Sequence, residues 1–275
     1  MKNIIAIQGA EGSNHHKVAK DFYGEAIELK ECLSFDALVD CLLEKKADKG
    51  IMAIENTIAG SIIPNYALID TNNLHIAGEE YLHIHHHLMA LPGQKIEGIK
   101  EVCSHPMALL QCKMFFKKYP HIKLVEDVDT AEVAKRISQE KLKGVAAIAP
   151  KLAAEIFGLE VLEDEIQTMK ENATRFVIVQ TEKPKNGIEY INKASLKFQL
   201  DHKRGSLAAI LNVLSDCKMN LTKIQSLPVI EAPWKYSFFV DVTFDEYKDY
   251  EKAIAIIEIM ASEFKVLGAY KNGRK

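Results

Sequence analysis

Short apolar runs alternate along this chain with segments whose apolar residues recur every three or four positions. Residues 4–8 are a buried-type strand run ending at Gly9-Ala10-Glu11-Gly12-Ser13, after which Val18, Ala19 and Phe22 share a helical face. Ser34 can cap a helix whose stripe is Phe35, Leu38, Val39, Leu42 and Leu43. Residues 50–54 predict a second strand, running into Glu55-Asn56-Thr57-Ile58-Ala59-Gly60-Ser61 and then a helix through Tyr66 and Leu68. Residues 74–91 read as extended, up to the break at Pro92-Gly93. The same grammar then resumes. Val102 enters Cys103-Ser104-His105-Pro106, and a helix follows with Ala108, Leu109, Cys112, Phe115 and Phe116, its proline tolerated in the first turn. Residues 123–125 form a strand, and Asp129-Thr130-Ala131-Glu132 resembles a capping box for a helix ending near Ser138. Residues 144–149 are another strand, Pro150 opens a helix to Phe157, and Gly158 stops it. Asn172-Ala173-Thr174-Arg175-Phe176 then runs into the apolar Val177-Ile178-Val179, where a strand begins.

Strands alternating with helices imply an α/β fold built on largely parallel sheets. Two such sets, divided near Tyr81 and rejoined near Thr181, predict two lobes facing a cleft: lobe 1 over about 1–80 and lobe 2 over about 81–180, within a domain spanning 1–182. Lys183-Pro184-Lys185-Asn186-Gly187 opens a linker over 183–193. Beyond it, over 194–275, the order becomes strand 194–200, helix 206–217, strands 221–229 and 235–243, helix 247–262 and strand 264–270. That is the ferredoxin-like βαββαβ pattern.

A length of 275 residues, 48% hydrophobic and 27% charged, suffices for two domains. The net charge of -3 and the absence of a long basic run remove any electrostatic reason to expect nucleic acid or an anionic membrane, and the basic tail at 271–275 reads as a frayed terminus. Five cysteines, an odd number without a CxxC pair, argue against a disulfide framework or structural zinc and for reduced thiols in a cytoplasmic protein. The N-terminal apolar run is too short for a signal peptide, and nothing approaches the ~18 apolar residues of a membrane span.

Candidate chemistry gathers where strands end and helices begin. Helix N-termini offer free N–H groups and a favourable dipole to anions, and the crevice of an open α/β sheet lies off the carboxyl ends of its strands. Gly12-Ser13, Gly60-Ser61 and Ser104-His105 are three such junctions and converge on an anionic ligand, although serine and glycine also serve any ordinary cap or loop. Arg175 adds a planar cation suited to a carboxylate; by strand alternation Thr174 and Phe176 share one face and Arg175 the other, unless an irregular entry turns it. Taken alone, the five residues also fit a strand edge with a surface arginine. Asn56, at the end of a buried strand, can donate and accept toward a ligand. Glu55, a carboxylate beside an anion, is expected either to be protonated or to orient Asn56 and the loop. His83, His85 and His87 alternate on one strand face with His86 opposite, and without a neighbouring carboxylate or cysteine at ligand spacing they read as a surface face ahead of a metal site. His15-His16 reads as a helix start.

In this order and at these spacings nearly the whole chain resembles the prephenate dehydratases that carry a C-terminal ACT domain. GAEGSNHH at 9–16 is similar to the family's G-P-x-G-[ST]-F-S-H, and IENTIAGSI at 54–62 to its I-E-N-S-x-x-G-S-V. IHHHLM at 84–89 aligns a histidine on His86, SHPMALLQC at 104–112 resembles S-H-P-x-A-L-x-Q-C, and residues 146–167 precede NATRF as the family order requires. The resemblance implies a two-lobed, periplasmic-binding-protein-like catalytic domain and conversion of prephenate to phenylpyruvate, with no metal or organic cofactor. It also implies that Thr174 donates to the departing hydroxyl, that Arg175 and the helix starts hold the carboxylates with Asn172, Ser13, Gly60, Ser61 and Ser104, and that Phe176 either walls the cleft or packs in the core. Gly205, Ser206 and Leu207 stand where the family has its G-A-L turn, and Gln225-Ser226-Leu227-Pro228 where it has E-S-R-P, the motifs that bind phenylalanine between paired ACT domains. Gln225 and Leu227 replace the glutamate and arginine, which puts the effector's identity in question. The resemblance further implies a homodimer or homotetramer. Two other readings compete: an arogenate dehydratase, and a non-catalytic amino-acid-binding sensor.

Overall fold

A computed structural model describes residues 3–184, 191–201, 203–229 and 235–274. Residues 185–190 of the expected linker lie outside the described residues. The chain forms two compact units, Met1–Ile62 with Glu80–Phe176, and Ile63–Glu79 with Val177–Lys275.

The elements run β1 Asn3–Gln8, α1 Asn14–Tyr23, β2 Ile27–Cys32, α2 Phe35–Leu43, β3 Lys49–Asn56, β4 Gly60–Ser61, α3 Ile63–Thr71, β5 His75–His83, β6 His87–Ala90, β7 Glu101–Ser104, α4 Pro106–Phe116, β8 Lys123–Glu126, α5 Thr130–Glu140, β9 Val145–Ala149, α6 Lys151–Phe157, β10 Glu160–Glu163 and β11 Ala173–Gln180. They continue with β12 Lys193–Gln199, α7 Ser206–Asp216, β13 Asn220–Pro228, β14 Tyr236–Thr243, α8 Tyr247–Met260 and β15 Glu263–Tyr270.

The first sheet is ordered β2-β1-β3-β11-β5. β1 pairs in parallel with β2 and β3, and β4 folds back antiparallel on the end of β3. Ser34 caps α2 as its position predicts, accepting from Ala37 N. The second sheet is ordered β10-β6-β9-β7-β8, with β9, β7 and β8 parallel and β6 antiparallel to β9. Its central strands are apolar on both faces, as parallel strands between helices must be. Met89 and Ala147 pack with Ala134 and Ile137 of α5, while Leu88 and Ile148 pack with Leu109 and Cys112 of α4. Each such side chain taken fully from water contributes about 1.5–3 kcal/mol.

The C-terminal sheet, antiparallel throughout, is ordered β13-β14-β12-β15, the ferredoxin-like arrangement. Alternation along β12 splits its two faces cleanly. Ala194, Leu196 and Phe198 pack with Ile210, Leu214 and Ile257 of α7 and α8. Lys193, Ser195 and Lys197 point the other way and are also buried. Lys193 Nζ meets Glu79 Oε2 at 2.8 Å, Lys197 Nζ meets Asp70 Oδ2 at 2.8 Å, and Ser195 Oγ donates to Asp241 Oδ1. A Cβ on Gly268 would collide with the carbonyl of Ile76, so segment 63–79 packs tightly within this unit.

The α/β class, the two lobes and the ferredoxin-like end are as the hydrophobic pattern predicts. Strands β2 and β10 are additions to it. Both are edge strands in which charged residues interrupt the apolar ones, Glu and Lys in β2 and Glu at both ends of β10, and charged edges read as loop. Two stripe residues are corrected as well: Phe22 and Leu43 sit at helix ends and are largely exposed, leaving Val18, Ala19, Leu38, Val39 and Leu42 as the buried positions.

Candidate active site

Within the first unit a cavity of about 250 Å³ is lined by the N-termini of α1, α4 and α5 together with the start of β11. Ser13 caps α1 by accepting from His16 N at 3.3 Å, and Gly12, at φ +87°, supports that turn by donating its N–H to His16 Nδ1. His105 Nδ1 accepts from Met107 N at the start of α4. Asp129 Oδ1 accepts from Ala131 N and Glu132 N, both at 2.9 Å, and the carboxylate also takes a backbone hydrogen bond from Ala10. Burial raises Asp129 above the ordinary carboxylate range, with those N–H bonds acting in the opposite sense. The N-termini of α1 and α4 turn their dipoles toward this small cavity without a single side-chain cation, whereas the first free donors of α5 are already taken by the Asp129 carboxylate.

A continuous run of side-chain amides crosses the cavity wall. Asn56 Nδ2 donates to Asn172 Oδ1 at 2.7 Å and to Thr174 Oγ1 at 2.9 Å. Asn172 Nδ2 donates to Gln111 Oε1 at 2.9 Å, and the same oxygen lies 2.8 Å from His86 Nε2. Asn56 is itself pinned, because its Oδ1 accepts from Ile58 N and Ala59 N of the following loop. Thr174 Oγ1 therefore accepts from Asn56, and its own hydrogen is directed elsewhere. An oxygen that accepts one hydrogen bond is polarised into a better donor.

Placement sorts the expected residues. Ser13, Asn56, Asn172, Thr174 and Phe176 line the cavity. Arg175 does not: it alternates to the other face of β11 and is 4% exposed, so the direct carboxylate contact expected of it does not follow from its position. Ser104 is fully buried, and its hydroxyl donates to Ile148 O at 2.7 Å, which makes it a sheet contact rather than a ligand contact. Glu55, Gly60 and Ser61 belong to the β3–β4 turn, paired Glu55 with Ser61 and Asn56 with Gly60, outside the lining. The third helix start at the cavity is thus Asp129-Thr130, in place of Gly60-Ser61, and it is already filled by its own carboxylate.

Among the lining residues, four take a place in the cavity that the sequence reading did not give them: His15, read there as a helix start, His86, read as the family's aligned histidine, Gln111, quoted only within a motif, and Asp129, read as a cap. His15 stands edge-on to Phe176, ring centroids 5.0 Å apart at 87°, and burial lowers its pKa to about 3. Gln111 follows Pro106 by five residues on α4 and reaches the cavity. His83, His85 and His87 line a separate pocket, and among the described residues no cluster of three or more His, Cys, Asp or Glu is placed to hold a metal ion. In the C-terminal unit, Ser206 and Leu207 line a small pocket of about 120 Å³ with Lys203 and Tyr236. Ser206 Oγ donates to the carbonyls of Asp201 and Lys203, Gly205 holds φ +83° before α7, and Gln225, Ser226, Leu227 and Pro228 lie on the edge strand β13.

A two-lobed α/β scaffold with helix starts edging a small cavity that holds a polarised threonine is that of an enzyme acting on a small molecule. Residues 5–184 match the family described as prephenate dehydratase. The chain belongs to that family. It is 34% identical over 276 residues to arogenate dehydratase/prephenate dehydratase 2, chloroplastic, of Arabidopsis thaliana, spanning 97% of this chain and 72% of that protein. Among solved structures, prephenate dehydratase of Arthrobacter aurescens in complex with L-Phe superposes with a TM-score of 0.86 at 24% identity, covering 98% of this chain and 90% of that one. A structure described as GqqA, a novel type of quorum quenching acylases, gives a TM-score of 0.87 at 25% identity, covering 98% and 97%.

Proposed function

We propose that the cleft converts prephenate to phenylpyruvate, acting as a carbon–oxygen lyase, with Thr174 as the donor to the departing oxygen. The observation that carries this role is the 2.9 Å bond in which Thr174 Oγ1 accepts from the loop-pinned Asn56, leaving its hydrogen for a ligand. In the reaction the bond between the ring and its carboxylate breaks, carbon dioxide leaves, and the electron pair moves through the ring to expel the hydroxyl oxygen, which takes up a proton and departs as water. The prephenate dianion and one proton thus give phenylpyruvate, carbon dioxide and water. Aromatisation drives the step; the protein must hold two carboxylates and stabilise charge developing on the leaving oxygen. The helix starts at Ser13 and His105 hold the carboxylates. Phe176, buried beside His15, keeps that wall dry and strengthens the polar contacts.

Residues 1–182 form the catalytic part in this reading and 194–275 a regulatory ACT domain, with L-phenylalanine as effector at Gly205, Ser206, Leu207 and Gln225–Pro228. The Arthrobacter relative was solved in complex with L-Phe, which supports L-phenylalanine as the effector. The protein works in the cytoplasm as a homodimer or homotetramer. Purified protein given prephenate should generate phenylpyruvate, read by its absorbance in base, and the same assay with arogenate separates the two dehydratase readings. Folded protein inert toward prephenate contradicts the reading.

A further inference from the structure

The amide run has a direction, and its direction is imposed from one end. Two backbone N–H groups, of Ile58 and Ala59, fix the Asn56 oxygen. Its nitrogen must then face the Asn172 oxygen, the Asn172 nitrogen must face the Gln111 oxygen, and that oxygen can only accept from His86 Nε2. Reversing any amide would place two donors or two acceptors face to face. His86 therefore carries its hydrogen on Nε2. Burial holds this imidazole below its usual pKa range, with the Gln111 bond opposing, so at neutral pH the other nitrogen is a bare lone pair. His86 Nδ1 is buried and has no hydrogen-bond partner among the described residues, although His86 lines the cavity. Its backbone is held on both sides, His86 N donating to Gln167 Oε1 at 2.9 Å and Ile166 N to His86 O at 2.8 Å, and the Nε2 bond to Gln111 orients the ring. A buried acceptor left without a donor costs about 1–3 kcal/mol. In a binding cleft a ligand can supply the donor.

The dehydratase reading limits what that donor can be. Both carboxylates and the keto group of the prephenate dianion only accept; its ring hydroxyl is the one O–H it carries. We propose that His86 Nδ1 accepts the hydrogen of the substrate's ring hydroxyl, so that the leaving oxygen is held from two sides, by His86 and by Thr174. This rests on prephenate being the substrate. As the C–O bond breaks, the bonding pair goes to oxygen and the proton that completes water arrives on the Thr174 side. The original O–H stays against Nδ1 throughout, and His86 neither gives nor takes a proton.

Two amide replacements separate this role from a purely structural one. His86→Gln keeps a donor near the Nε2 position for Gln111 and removes the acceptor at Nδ1. His86→Asn keeps an oxygen near Nδ1 and gives up the reach to Gln111. Expected is a fall in kcat/KM for prephenate of about tenfold or more in His86→Gln, one neutral hydrogen bond's worth, with the smaller fall in His86→Asn. Wild-type turnover in His86→Gln would overturn the proposal while leaving the dehydratase reading intact; an inactive wild type would remove both. Should either variant fail to fold, ¹⁵N resonances of histidine in the full chain carrying Thr174→Ala decide. The His86 Nδ1 signal should be that of an unprotonated nitrogen, and should shift on adding prephenate but not phenylpyruvate, which lacks the hydroxyl. A protonated Nδ1, or equal response to both, contradicts the assignment.

Discussion

Thr174 and His15 show how much of this site turns on single side chains. Because Asn56 already donates to Thr174 Oγ1, the hydroxyl has one useful direction left for its hydrogen. Thr174→Ala should lower kcat by about 10²–10³-fold, as loss of one preorganised donor does, with KM changed only a few-fold; Thr174→Ser should keep most of the rate. Steady-state kinetics on prephenate read both, and a near-normal Thr174→Ala would remove the role. His15 carries a stability prediction. Its folded pKa of about 3 lies below the 6.5 of an ordinary histidine, so between those values the unfolded chain binds the extra proton. Stability is complete above the unfolded value and is lost as pH falls toward the folded one, by about 2 kcal/mol between pH 6.5 and 5. Urea midpoints at the two pH values measure this, and His15→Phe should flatten the difference. Thr174 was legible in the sequence because strand alternation and a family motif agree on it. His15 was not, because a histidine in a first helical turn gives no sign of which core it enters.

At the scale of elements, strand-to-helix turns carry the site, and their conformation was partly legible. Gly9-Ala10-Glu11-Gly12-Ser13 announced a tight turn, but not what it approaches. A Cβ on Gly12 would lie 2.9 Å from Ala153 Cα of α6, and one on Gly9 would lie 2.6 Å from Asp129 Oδ2 of the α5 cap, so this loop of the first lobe seats directly on the second. Gly24, at φ +78°, has nothing within 4 Å of such a Cβ. Both Gly12→Ala and Gly24→Ala force a positive φ on alanine, at about 1–3 kcal/mol each. Only Gly12→Ala adds a backbone collision, so it should destabilise by about 1–2 kcal/mol beyond Gly24→Ala in urea titrations and lower activity by displacing Ser13. Equal costs would mean that the close approach relaxes freely. The edge strands β2 and β10 were missed for the opposite reason: at sheet margins the charged residues that discourage further pairing also erase the strand signature.

For the molecule as a whole, the alternation of elements gave the α/β class and the ferredoxin-like end, but adjacency in sequence could not reveal that 63–79 belongs with 177–275. The joint is polar and dry. Glu79 and Lys193 are 2% and 3% exposed and meet at 2.8 Å. Glu79→Ala leaves a buried ammonium without its partner and should cost about 3–5 kcal/mol, whereas Glu79→Leu combined with Lys193→Met should recover much of that loss. Denaturant unfolding of the three variants tests it, and a Glu79→Ala change within experimental error would deny the pair its structural weight. The same packing bears on synthesis. Glu79 emerges from the ribosome 114 residues before Lys193, and Asp70 precedes Lys197 by 127, so these carboxylates must wait in water while more than a third of the chain is made. Ribosome-bound chains ending before β12 should therefore protect lobe 2 against proteolysis well before they protect 63–79, a vectorial folding order set by one interleaved segment.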